Sequence, residues 1–130
     1  DGLTADLYNE ERKAKMLKRH KEMKEEGREN MRGGKGNVRI RHYFTKDEFA
    51  SNTRLCAQLT IPPGGSIGSH QHEGEDEVYI IEKGIGLLEE GDRQFRVSPG
   101  DAVLTGRGMS HAVSNNGSED LVMIAVIMCY

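Results

Sequence analysis

Three of the five histidines fall within reach of a carboxylate in strand-like or turn-like surroundings: His70 and His72, then Glu77, and further along His111. Residues two apart on a strand face the same side, so His70 and His72 can direct both imidazoles into one interior. Glu77 shares its face with Tyr79 and Ile81, which suggests a face turned inward rather than to water. A lone carboxylate there would be costly, whereas one bound to a metal beside neutral imidazoles is compensated. By ligand type alone, three histidines and one carboxylate suit Mn, Fe, Ni, Zn or Co, and four protein ligands in an octahedral site leave two positions open for chemistry.

These side chains need rigid elements to hold them. From Val38 onward the pattern has period two: Val38 and Ile40 alternate with Arg39 and Arg41, and Leu55, Ala57, Leu59 and Ile61 alternate with Arg54, Cys56, Gln58 and Thr60 until Pro62-Pro63-Gly64-Gly65. Further short runs span Glu77 to Glu82, Gly86 to Glu90, Gln94 to Val97, Ala102 to Thr105, His111 to Asn115 and Leu121 to Met128, with turn-forming residues between them. Many short, closely spaced strands predict an all-β sandwich or barrel.

The segment before Gly36 reads differently. Ala5 to Glu26 lacks Pro and Gly and is rich in Ala, Glu, Lys, Leu and Met, which predicts an N-terminal α-helix, capped by Thr4 and stopped at Gly27. Its apolar stripe of Leu7, Ala14, Leu17 and Met23 is thin, so packing along a narrow seam, against the barrel or a partner subunit, is expected. Residues 1–36 are then a charged helix with a Gly-rich link, and residues 37–130 a barrel domain. One compact domain is what 130 residues can supply.

Charge and cysteine usage narrow the class. A formal net charge of −3 gives no footprint for phosphate-backbone binding, so nucleic acid is not an expected partner. Cys56 and Cys129 lie in apolar strand-like runs without CxxC spacing and read as buried thiols of a reducing compartment, with the cytoplasm expected. No apolar run of about 18 residues is present to span a bilayer, so no membrane partner is expected.

At this point the spacing resembles the cupin superfamily. The first cupin motif is Gly, five residues, His-X-His, three or four residues, Glu, six residues and Gly, and Gly64, His70, His72, Glu77 and Gly84 occupy all five fixed positions. The second is met by Gly100, Gly108, His111 and Asn115, while Gly106 stands where the family has proline. That departure puts the stiffness of the loop before His111 in question. The resemblance implies a double-stranded β-helix, a jelly-roll-like barrel with a single metal ion held by His70, His72, Glu77 and His111. Family likeness favours manganese or iron and suggests a homodimer.

The resemblance also implies a function class: a metal-dependent enzyme of decarboxylase, dioxygenase or isomerase type acting on a small carboxylate- or sugar-like metabolite. The alternative is a non-catalytic module that binds or senses a small ligand. Tyr79 is the candidate catalytic residue, able to donate a proton or orient substrate, although a buried tyrosine is more often structural. Gln58, Arg54 and Arg107 are weighed as polar anchors against solvated side chains, and Asp76 as a rival to Glu77. Glu73 and Glu75 read as loop charges, and His20 and His42 as surface or interface residues.

Overall fold

The computed structural model describes residues 16–130. Ten strands follow in chain order: β1 (Lys24–Glu29), β2 (Asn37–His42), β3 (Thr53–Ile61), β4 (Ser66–Gln71), β5 (Glu75–Lys83), β6 (Gly86–Glu90), β7 (Arg93–Val97), β8 (Ala102–Thr105), β9 (Ser110–Ser114) and β10 (Leu121–Cys129). They form a six-stranded sheet in the order β1-β2-β3-β10-β5-β8 and a four-stranded sheet in the order β4-β9-β6-β7. Neighbouring strands pair antiparallel throughout. The architecture is the all-β, jelly-roll-like barrel that the motif spacing implies.

The core lies between the two sheets. Ala57, Leu59 and Ile61 of β3, Tyr79 and Ile81 of β5, and Met123 and Ala125 of β10 meet Ile67, Leu88, Val97 and Val113 of the smaller sheet. Each inward position sits two residues from the last, as the pleat requires. Burying a large apolar side chain of this kind contributes roughly 1.5–3 kcal/mol, which holds the sheets face to face. The unbroken apolar run of β10 reflects its place between β3 and β5: odd-numbered residues enter the core, while Ile124, Val126 and Met128 face out.

The N-terminal α-helix is a correction. Among the described residues no α-helix occurs, and residues 16–26 hold a single 3-10 turn at His20–Glu22 followed by β1. Residues 5–15 of that expectation, and the cap at Thr4, lie outside the described residues. Lys and Glu favour helix locally, but β1 gains a full ladder against β2, running from Lys24 opposite His42 to Glu29 opposite Asn37. Charge pairs reinforce the register: Arg41 Nη2 donates to Glu25 Oε2 at 2.6 Å, and His42 Nε2 lies 2.9 Å from Glu26 Oε2. Gly27 does not stop a helix. It sits inside β1, where a Cβ would come within 2.8 Å of the Asn37 side chain.

Two motif residues act on the fold rather than on chemistry. Asn115 is fully buried and ties the β9–β10 loop to the end of β3, donating from Nδ2 to the carbonyls of Ile61 (2.9 Å) and Glu119 (2.8 Å) and accepting from the Gly117 N–H (2.9 Å). Gly84 turns between β5 and β6 at φ +84°, with its Cα so close to Asp120 that a Cβ would stand 2.4 Å from that carbonyl oxygen.

Candidate metal centre

Each candidate ligand enters the barrel from a different strand position. His70, next to last in β4, is opposite His111 of β9, and Glu77 of β5 is opposite Thr105 of β8. His72 follows β4 in a turn tied by His72 N–H to Met109 O and Gly108 N–H to His72 O, both 2.9 Å. These backbone bonds, with Met109 N–H to Gly106 O at 3.0 Å, stiffen the loop before His111 without the family's proline. Gly106 has a local reason to be glycine, since a Cβ there would lie 2.0 Å from Asp76 Oδ1.

The four side chains converge. One donor atom from each of His70, His72, Glu77 and His111 lies within 4.8 Å of all the others, so the group could hold a metal ion. Nε2 of His111 is 2.9 Å from Nε2 of His70 and 3.0 Å from Nε2 of His72. Glu77 Oε1 is 2.9 Å from His72 Nε2, 3.0 Å from His111 Nε2 and 3.8 Å from His70 Nε2. The rings meet edge to face, with centroids 4.5–4.8 Å apart, as ligands directed at a common point would.

The second ring nitrogens decide what this cluster needs. His70 Nδ1 lies 2.7 Å from the Gly68 carbonyl and His72 Nδ1 lies 2.7 Å from the Glu75 carboxylate. Both partners can only accept, so both Nδ1 atoms carry a proton, and in the neutral rings both Nε2 atoms present lone pairs to the centre. His111 Nδ1 has Thr105 Oγ1 at 2.9 Å as its own partner. Glu77 Oε1, buried among these nitrogens, has no hydrogen-bond partner among the described residues despite its short distances to them. Lone pairs packed this closely repel unless a cation stands between them, and this donor set fits a divalent metal.

The electrostatics of the cluster are mixed: the Glu77 carboxylate first, and then Glu75, raise the His72 imidazole against its burial, toward the protonated form. Burial would raise the Glu77 carboxyl, but the imidazoles of His111, His70 and His72 outweigh it and hold it well below the usual carboxylate range. Burial pushes the His111 imidazole down, toward its neutral, ligating form. Glu75 is held at about 2 by Arg54 first, which donates from Nε and Nη2 at 2.7 Å each, and then by His72. An Arg54–Glu75–His72 chain thus fixes one ligand from outside the cluster.

The other sequence expectations sort by face. Asp76 points away from the cluster and accepts from Tyr130 O–H at 3.2 Å. Tyr79 is buried, stacks on His111 at 5.0 Å between centroids, and places its hydroxyl 3.4 Å from His111 Nε2. Burial raises its hydroxyl well above the usual phenol value, so it stays protonated. Gln58 is on the face of β3 opposite Ala57 and Leu59, Arg107 is exposed in its loop, and His20 is exposed outside the barrel. Cys56 and Cys129 are free, half-buried thiols.

Above the cluster is a cavity of about 120 Å³ whose walls include Arg28, Arg32, His42 and Arg54 beside Leu59 and Ile127. Glu75, Thr105, Arg28 and Arg32 were not assigned to the site from sequence. Glu75 carried a signal, since it shares strand phase with Glu77; Thr105 carried none, because its place opposite Glu77 depends on the pairing of β5 with β8. Arg28 and Arg32 carried none, because only the path of β1 and the turn after it brings them over the barrel mouth.

Comparison with known proteins agrees with this geometry. Residues 57–127 match the Cupin domain family. The chain is 40% identical over 113 residues to the oxalate-binding protein of Thermotoga maritima, covering 87% of this chain and 93% of that one. It superposes with a TM-score of 0.84 and 39% identity on the crystal structure of a predicted oxalate decarboxylase from Thermotoga maritima, covering 88% of this chain and 100% of the other. A cupin-like protein of Thermotoga maritima shares the fold at a TM-score of 0.66 and 24% identity, over 74% of this chain and 71% of that one. With its barrel, its ligand-like quartet and these relatives in agreement, the chain belongs to the cupin family.

Proposed function

We propose that this protein is a metal-dependent cupin that binds a small carboxylate of the oxalate class at a centre formed by His70, His72, Glu77 and His111. The observation that carries the reading is the convergence of three imidazole nitrogens and an orphaned buried carboxylate oxygen beneath a cavity lined by arginines. A cationic mouth suits a carboxylate better than a neutral sugar. The volume is about that of four waters in the liquid, which suits a compact ligand. The likeness to the oxalate-binding protein of Thermotoga maritima supports oxalate as the first compound to test.

When bound, a divalent ion would supply a Lewis-acid centre for carboxylate oxygens. Manganese or iron is the proposed ion. His70, His72, Glu77 and His111 would hold it, and the mixed imidazole and carboxylate donor set supports a first-row transition ion of this kind. The chain's own residues orient the ligand set from behind, through Glu75, Thr105 and the Gly68 carbonyl, and exclude water through Leu59 and Ile127.

Turnover is the second reading, and Tyr79 favours it. A protonated hydroxyl beside His111 could deliver the proton that formate needs when carbon dioxide leaves oxalate. We further propose a homodimer, supported by Ile80, Leu104 and Met128, which are exposed on the neighbouring strands β5, β8 and β10. A cytoplasmic location is supported by the free thiols; among the described residues no helix is long and apolar enough to cross a membrane.

Elemental analysis of the purified protein beside Glu77→Ala and His111→Ala, followed by calorimetric titration with oxalate, tests the proposal. About one transition-metal ion per chain, lost in both variants, with oxalate binding only to the loaded protein, is the expected result. Failure to hold or take up metal would overturn it, and formate appearing on incubation would establish turnover.

A further inference from the structure

Four cationic or potentially cationic side chains line the cavity above the quartet, and their partners differ. Arg28 Nε donates to Glu26 Oε1 at 2.9 Å, and His42 Nε2 meets the other oxygen of the same carboxylate at 2.9 Å. Arg54 is held by Glu75 in a two-pronged pair. Arg32 alone has no carboxylate partner among the described residues, and its exposed side chain borders the cavity.

The backbone that presents Arg32 is held in an unusual form. Asn30, Arg32 and Gly33 take φ of 51°, 55° and 81°, the left-handed region, which a long side chain such as arginine rarely adopts. The turn is clamped onto β4 by glycines on both sides. A Cβ on Gly34 would stand 2.2 Å from Ser66 O, and one on Gly68 would stand 2.1 Å from Arg32 O. Gly68 in turn accepts the Nδ1 proton of His70, so the strap bearing Arg32 and a candidate metal ligand share one anchoring residue.

We propose that Arg32 is the second anion anchor of the site, binding the carboxylate that the metal end does not neutralise and selecting dicarboxylates over monocarboxylates. The inference rests on the metal-held carboxylate reading above. Charge supports it: with a divalent ion against Glu77, and with Arg28 and Arg54 paired to carboxylates, the cavity carries two net positive charges once Arg32 is included. A small dianion matches that balance, and a monoanion leaves Arg32 unanswered.

Oxalate and oxamate test this, because oxamate keeps the shape and replaces one carboxylate by a neutral amide. Metal-loaded protein is titrated with each by calorimetry, for the wild type, Arg32→Gln and Arg32→Lys, with metal content and thermal midpoint measured on the same samples. The wild type is expected to prefer oxalate at least tenfold. Arg32→Gln should lose that preference by weakening oxalate alone, with metal content unchanged, and Arg32→Lys should restore part of it. Oxalate binding that is unchanged in Arg32→Gln at full metal occupancy overturns the role of Arg32 and leaves the metal-site reading standing. A loaded wild type that binds neither compound overturns both.

Discussion

Glu75 Oε1 lies 2.7 Å from Nδ1 of His72, and the same carboxylate grips the Arg54 guanidinium with both oxygens. One acidic residue outside the candidate ligand set therefore determines which nitrogen of His72 faces the barrel centre. It also adds negative charge behind the ring, which raises the basicity of the ligating nitrogen.

Glu75→Gln keeps the shape and removes that charge. Metal affinity is expected to fall by about 10–100-fold, as for other partners standing behind a metal-bound histidine, while the fold persists. Competition with a chromophoric chelator measures it. Affinity equal to the wild type would show that His72 does not depend on Glu75.

The same residue gives the metal-free protein an acid-sensitive component. Its carboxyl is lowered from an ordinary value of 4.5 to about 2, chiefly by Arg54. A group depressed in the folded state stabilises above its unfolded value and loses that contribution as pH falls toward the folded one. The stability gap between wild type and Glu75→Gln, followed by urea midpoints, should therefore narrow from pH 5 to pH 2. A gap constant over that range would refute the assignment.

Restoring a side chain at Gly106 should harm this cupin. An Ala or Pro there puts Cβ 2.0 Å from Asp76 Oδ1 and 3.3 Å from the Glu75 carbonyl, so Asp76 must swing away from Tyr130. A cost of about 1–3 kcal/mol is expected for Gly106→Ala. Combining it with Asp76→Ala should recover much of that loss, because the two sites are in contact and couple. Additive losses in the double variant would place the strain elsewhere.

Asn115→Ala removes a buried amide that serves three backbone groups at once. The Ile61 carbonyl and the other two partners are left to find water or remain unpaired, at about 1–3 kcal/mol for each group that stays buried. A drop in thermal midpoint of several degrees is expected, with metal stoichiometry retained in the folded protein. Loss of metal without loss of stability would instead place Asn115 in the site.

Much of this was legible in the sequence because it depends on local pattern. Period two along Leu55 to Ile61, and the turns at Pro62-Pro63-Gly64-Gly65 and Ser98-Pro99-Gly100-Asp101, are written into consecutive residues. So is the phase that turns Glu77 inward and Asp76 outward. The glycine and histidine spacing that resembles the cupin motifs named the quartet, since a strand alternates its faces whatever surrounds it. Tertiary structure decided what lies between distant segments. Residues 24–29 form a strand rather than the end of a helix because β2 supplies a ladder that local propensity cannot anticipate. Glu75 is a tether rather than a loop charge because Arg54, 21 residues away, folds beside it. Arg32 reaches the mouth only through the packing of Gly34 and Gly68, a contact between segments more than thirty residues apart. Local residues set which face a side chain takes; burial, charge balance and ligand choice depend on which other segment the fold brings opposite.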